Sequence, residues 1–141
     1  MKANILGFFL IGLFFITGCA LMSPPEEGNA LQQINLENVP KNIDVETASQ
    51  MLDHEDVVLI DVREQWEYEG QHIEGATLIP MSEIEERLAE IPTDKTVILT
   101  CRSGHRSGEI FSYLEERGYD NTINMEGGIL AWEAAGLAVE E

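Results

Sequence analysis

Residues 97–107 read Val97-Ile98-Leu99-Thr100-Cys101-Arg102-Ser103-Gly104-His105-Arg106-Ser107. A short apolar run rich in β-branched residues marks a strand buried on both faces of its sheet. The residues from Cys101 onward cannot continue that strand, because a glycine, hydroxyls, two arginines and a histidine gather around one thiol. Beyond Ser107 the apolar residues recur at Ile110, Phe111 and Leu114, one face of a helix that closes at Gly118. The stretch therefore predicts a buried strand, a tight loop and a helix with Ser107 as its N-cap. Strand, loop and helix in that order form the unit of a parallel sheet.

The same alternation extends in both directions. Val57-Val58-Leu59-Ile60-Asp61 is a second continuous apolar run and predicts a second buried strand. Shorter strands are expected at Asn42-Ile43-Asp44, at Ala76-Thr77-Leu78-Ile79 before Pro80, and at Thr122-Ile123. Helices are expected from Val45 to Leu52, through Gln65-Trp66-Glu67-Tyr68 to Gly70, and from Ile129 to Ala135. A further helix is expected from Glu83 to Leu88, capped by Ser82 with Glu85 at the capping-box spacing. Gly127-Gly128 reads as a turn, and Trp66 and Trp132 as core residues of their helices. These elements predict an α/β domain over residues 41–141: a mostly parallel sheet of about five short strands with helices on both faces.

Open α/β sheets carry their sites beyond the carboxyl ends of the strands. Asp61-Val62-Arg63 and Cys101 both stand just past the ends of the two most buried runs. A loop that enters a helix can turn its N–H groups inward, with the partial positive charge of the helix terminus behind them. A thiol at such a centre is expected to ionise easily, helped by Arg102, His105 and Arg106. This local field opposes the chain's formal charge of −18, from 8 Lys+Arg against 26 Asp+Glu. So acidic a surface repels nucleic acid and anionic membrane as face-on partners.

The N-terminal segment has a different character. Lys2 precedes an apolar run from Ile5 to Ile16, and Thr17-Gly18-Cys19 supplies the small residues of a cleavage site. The run is shorter than the roughly 20 apolar residues of a membrane span, so a secretory signal over residues 1–18 is expected ahead of a retained helix. Ile16-Thr17-Gly18-Cys19 also resembles the lipobox of bacterial lipoproteins, in which cleavage precedes a cysteine that then carries diacylglycerol. The resemblance implies lipidation at Cys19, and several acyl chains, palmitate among them, would anchor one terminus stably. A plain signal peptide with Cys19 as an incidental thiol is the alternative. Residues 19–40 then read as the lipidated terminus and a polar, acidic tether. The protein is expected in the cell envelope, facing away from the cytoplasm. That means the periplasmic face of an outer membrane where there is one, and otherwise the outer face of the cytoplasmic membrane. Ala20, where an aspartate would favour inner-membrane retention, hints at the outer membrane.

Four groups of residues, in order, carry a second resemblance. They are Asp61-Val62-Arg63-Glu64 with Tyr68; Gly70-Gln71-His72-Ile73-Glu74-Gly75-Ala76 with Ile79-Pro80; Cys101 through Ser107; and Glu126-Gly127-Gly128 with Trp132. From about Asn42 to Ala138 the chain resembles a single-domain rhodanese. The resemblance implies a sulfurtransferase; no cofactor and no metal are expected. Its cysteine accepts a sulfane sulfur from an anionic donor such as thiosulfate and passes it, as a persulfide, to cyanide or a thiol. It makes Cys101 the nucleophile and Arg102, Ser103, Gly104, His105, Arg106 and Ser107 the substrate-binding loop, with Asp61 and Arg63 shaping the site. A monomer is expected.

Two other functions remain in view. Cysteine phosphatases and arsenate reductases have a similar loop but carry an arginine six positions after the cysteine, where it clasps a tetrahedral oxyanion bidentately. Here that position is Ser107, and the arginine comes one residue earlier. A non-catalytic binding or sulfur-carrier module would use the same loop without turnover. Metal binding would need more ligands than Cys101 and His105, and only His54 and His72 remain among the histidines. His72 is read instead as hydrogen bonding within the fold. With two cysteines in the chain and Cys19 lipidated, no second thiol could discharge a persulfide on Cys101, so the acceptor must come from outside.

Overall fold

The computed structural model describes residues 36–141. The expected signal, the lipidation site at Cys19 and most of the tether lie outside the described residues. The chain folds as β1 (Asn42–Ile43), α1 (Val45–Met51), β2 (Val57–Asp61), α2 (Gln65–Gly70), β3 (Thr77–Leu78), β4 (Thr96–Thr100), α3 (His105–Glu115), β5 (Thr122–Met125) and α4 (Gly128–Ala134). The five strands form one sheet in the order β1-β5-β4-β2-β3, with every pairing parallel. This is the α/β architecture that the alternation of apolar runs predicts.

Side chains alternate across each strand and so divide the core in two. Leu59 and Ile98 face one side with Ile43, Ile123 and Met125, where Val45, Ala48 and Met51 of α1 and Ile129 and Trp132 of α4 cover them. Ile60, Val97 and Leu99 face the other side, under Ile110 and Leu114 of α3 and the segment bearing Ile84 and Ile91. Each fully buried aliphatic side chain contributes on the order of 1.5–3 kcal/mol, so the two central strands anchor both layers. The register pairs Asp61 with Thr100, and the Val62 N–H donates to the Thr100 carbonyl at 2.9 Å. The segments leaving β2 and β4 therefore begin side by side at one edge.

Three local expectations are corrected. Residues 82–88 form successive turns, with a 3-10 turn at Leu88–Glu90, and not a capped α-helix. Ser82 donates its hydroxyl to Glu64 at 3.1 Å, and the Glu83 N–H bonds back to the Pro80 carbonyl at 2.8 Å. Three-residue turns of this kind bury Ile84 and Ile91 as a helix would, so the apolar spacing does not separate the two. Ser107 is not a cap: α3 starts at His105 on Gly104, and Ser107 turns inward, fully buried. Trp66 is 73% exposed while Trp132 is buried as expected. The reason is that α2 buries none of its residues and is held by polar ties, including a bond of 2.6 Å from the Tyr68 hydroxyl to the Ala76 carbonyl.

Candidate active site

Cys101 follows the last residue of β4, is 1% exposed, and is a free thiol. The loop from Arg102 to Gly104 curls back over it into α3. The Gly104 N–H lies 3.2 Å from Sγ and the Ser107 hydroxyl 3.5 Å. The N–H groups of Ser103 and Ser107 also favour the ionised sulfur. Burial pushes the Cys101 thiol up, but the Ser107 hydroxyl and the three N–H groups outweigh it and leave the thiol below its ordinary value. The sulfur thus sits where negative charge is stabilised by fixed donors.

Two glycines make this turn possible. Gly104 has φ +86°, and a Cβ there would come within 2.8 Å of the Gly127 nitrogen. Gly128, at φ +58°, lies against the loop entrance, where a Cβ would stand 2.3 Å from the Cys101 carbonyl oxygen. That close approach lets the Ile129 N–H donate to the Cys101 carbonyl at 2.9 Å and the Leu130 N–H to the Arg102 carbonyl at 3.1 Å. The Gly127-Gly128 turn expected from the sequence is thus also the seat of the loop.

Asp61 and Arg63 form a second, buried layer beside it. They are 1% and 3% exposed, and the Arg63 guanidinium meets the Asp61 carboxylate at 2.7 and 2.8 Å. A further bond of 2.7 Å runs from Arg63 to the Gln71 carbonyl, fastening the end of α2 to the carboxyl edge of the sheet. His72 comes next: its ring stacks on Tyr68 at 3.9 Å, its Nδ1 donates to the Tyr68 carbonyl at 3.1 Å, and its backbone bridges to Glu140. Hydrogen bonding within the fold is the role expected for it.

The remaining loop residues differ in their surroundings. Arg102, Ser103 and His105 are exposed, with the His105 ring 3.7 Å from Glu109. Arg106 is half-buried, and its guanidinium is taken up by Glu67 of α2 at 2.6 and 2.7 Å. Glu67 is not among the site residues expected from the sequence. Its spacing three residues after Glu64 is the one available signal, and the two form a capping box at the start of α2. Nothing in that spacing points across the molecule to Arg106.

A cysteine at the end of a parallel strand, its thiol lowered by the donors of the following loop and with a buried Asp-Arg pair at the same sheet edge, defines a cysteine-loop α/β domain. Residues 44–135 match the model of the rhodanese-like domain, and the chain belongs to that family. It is 44% identical over 98 residues to a sulfurtransferase of Allochromatium vinosum, covering 69% of this chain and 92% of that protein. It is 36% identical over 95 residues to the thiosulfate sulfurtransferase GlpE of Pseudoalteromonas translucida, covering 67% and 90%. The crystal structure of a rhodanese-like domain protein from Staphylococcus aureus matches with a TM-score of 0.64 at 32% identity, covering 72% of this chain and all of that one.

Proposed function

We propose that the protein is a sulfurtransferase that moves a sulfane sulfur from an anionic donor such as thiosulfate to an external thiophilic acceptor, cyanide or a thiol, through a persulfide on Cys101. The observation that carries this reading is the pair of donors on the buried Sγ, the Gly104 N–H at 3.2 Å and the Ser107 hydroxyl at 3.5 Å, in a loop that leaves the thiol lowered despite its burial. The thiolate attacks the outer sulfur of thiosulfate, a sulfur–sulfur bond forms at Cys101, and sulfite leaves with the electron pair of the bond that breaks. The acceptor then takes the outer sulfur and the cysteine returns as thiolate. Electrons balance in each half without an added oxidant or reductant.

In this reading the loop from Arg102 to Ser107 binds the donor, with its N–H groups over the sulfur and the exposed Arg102 and His105 facing the sulfite end. Asp61 and Arg63 shape the site by fixing the end of α2. The name of the Pseudoalteromonas relative supports thiosulfate as donor. Steady-state turnover of the full-length protein with thiosulfate and cyanide tests the proposal. Sulfite and thiocyanate should appear in equal amounts, and Cys101→Ser should yield neither. Binding of thiosulfate without either product would instead support a binding or carrier module.

The N-terminal assignment belongs to the same proposal and rests on Ile16-Thr17-Gly18-Cys19 after its apolar run. A lipid on Cys19 holds the domain at an extracytoplasmic membrane face, where acceptor thiols must reach it. Intact mass of the membrane-extracted protein should show a chain beginning at acylated Cys19; an unmodified Cys19 or a retained Lys2 would refute this.

A further inference from the structure

Glu67 carries an inference about selectivity that rests on the sulfur-transfer reading. It reaches from α2 to the first turn of α3 and binds both terminal nitrogens of Arg106, at 2.6 and 2.7 Å. That edge of a guanidinium is the one that clasps a carboxylate or a tetrahedral oxyanion bidentately. Arg106 precedes Ser107, whose hydroxyl touches the Cys101 sulfur. Its cation is close enough to interact with the charge on Cys101, yet it is already engaged by Glu67.

The pair is also prepared in advance. Glu67 is the third residue of its helix, and its Oε2 accepts the Glu64 N–H at 3.2 Å, which fixes the carboxylate before Arg106 meets it. Its side chain is 10% exposed and that of Arg106 is 29%. The Arg106 guanidinium is the main cause that holds the Glu67 carboxyl below its usual range, so it is ionised at neutral pH. An anion entering the loop must displace a bound carboxylate before Arg106 is free to grip it.

We propose that Glu67 is a positioning residue that sets the loop's selectivity: it keeps the Arg106 guanidinium as a brace between α2 and α3, so that an anion at Cys101 meets N–H groups and not this cation. Sulfur transfer needs only donors at one sulfur atom. An oxyanion that needs Arg106 as a bidentate clasp is disfavoured, whereas thiosulfate, itself a tetrahedral dianion, enters by its outer sulfur and does not need that clasp.

The test uses full-length Glu67→Gln, a near-isosteric change that keeps an acceptor for the capping box, and inorganic sulfate as probe. Sulfate should inhibit thiosulfate turnover about fivefold or more strongly in Glu67→Gln than in wild type, because the freed guanidinium can clasp it. The double variant Glu67→Gln/Arg106→Gln should lose that gain. Independently of turnover, the pH midpoint of Cys101 alkylation by iodoacetamide should fall in Glu67→Gln, since an unpaired cation favours the thiolate, and return in the double variant. Unchanged sulfate inhibition, or a midpoint that rises, would overturn the proposal and leave Glu67 a purely structural tie. Failure of wild-type turnover with a midpoint that still falls would refute sulfur transfer while upholding the brace.

Discussion

Replacing Ser107 by alanine removes the side-chain donor on the Cys101 sulfur and leaves the backbone in place. Ser107 is fully buried, so no water takes over from its hydroxyl, and the 3.5 Å contact to Sγ is simply lost. A hydrogen bond to a charged group contributes about 1.5–3 kcal/mol, and a contact this long belongs at the low end of that range. About 1.5 kcal/mol corresponds to roughly one pH unit in the ionisation of the thiol. The sign is set by which form the hydroxyl stabilises: it donates to the thiolate, so its removal raises the thiol. At neutral pH the thiolate fraction should fall by up to about tenfold. The rate of Cys101 alkylation by iodoacetamide, measured from pH 5 to 10, should show its midpoint displaced upward by about that unit. An unchanged or lowered midpoint, with the variant folded as judged by its circular dichroism, would refute the claim that the loop lowers the thiol through Ser107.

The same geometry sets other outcomes. Asp61→Asn leaves the buried Arg63 guanidinium without its carboxylate and should cost about 3–5 kcal/mol in urea unfolding, since breaking a buried pair strands a charge. Gly128→Ala should destabilise the fold by about 1–3 kcal/mol and slow Cys101 alkylation, because its Cβ displaces the loop entrance from a left-handed position. The lowered thiol is also a source of stability: it is fully present above the unfolded thiol's pKa of about 8.5 and is lost as pH falls through the folded value. The stability advantage of wild type over Cys101→Ser should therefore grow from pH 6 to pH 9; a difference that is flat or shrinks would contradict the lowered thiol.

Legibility in the sequence depends on which features are local. The runs at 57–61 and 97–100 identify buried strands because no surface element tolerates such continuous apolar sequence, and their ends place Asp61 and Cys101 together. The loop's chemistry is equally local, since its donors lie within six residues of the sulfur they hold. Features settled by tertiary geometry are not legible in the same way. Ser107 has the chemistry of a cap, but the loop must close over the sulfur, so the helix starts at His105 and the hydroxyl turns inward. Ile84 and Ile91 are buried equally well by turns or a helix, and Ser82 finds its partner in Glu64, eighteen residues away. Trp66 is exposed because α2 buries no residue fully: Tyr68 packs partly against the core, and polar contacts complete the attachment. Glu67 acts across 39 residues, a pairing that no spacing along the chain announces.

The central claim is that Cys101 carries the transferred sulfur, and the mass of the loaded protein tests it most directly. Full-length protein incubated with thiosulfate and no acceptor, then measured intact and after proteolysis, should gain the mass of one sulfur atom on the peptide containing Cys101. The donors that lower the thiol should equally stabilise an anionic persulfide there. Cyanide should remove the added mass and release one equivalent of thiocyanate, and Cys101→Ser should gain nothing. A wild-type protein that stays unloaded with every sulfane donor tried, or that gains the sulfur at Cys19 and not at Cys101, would contradict the account.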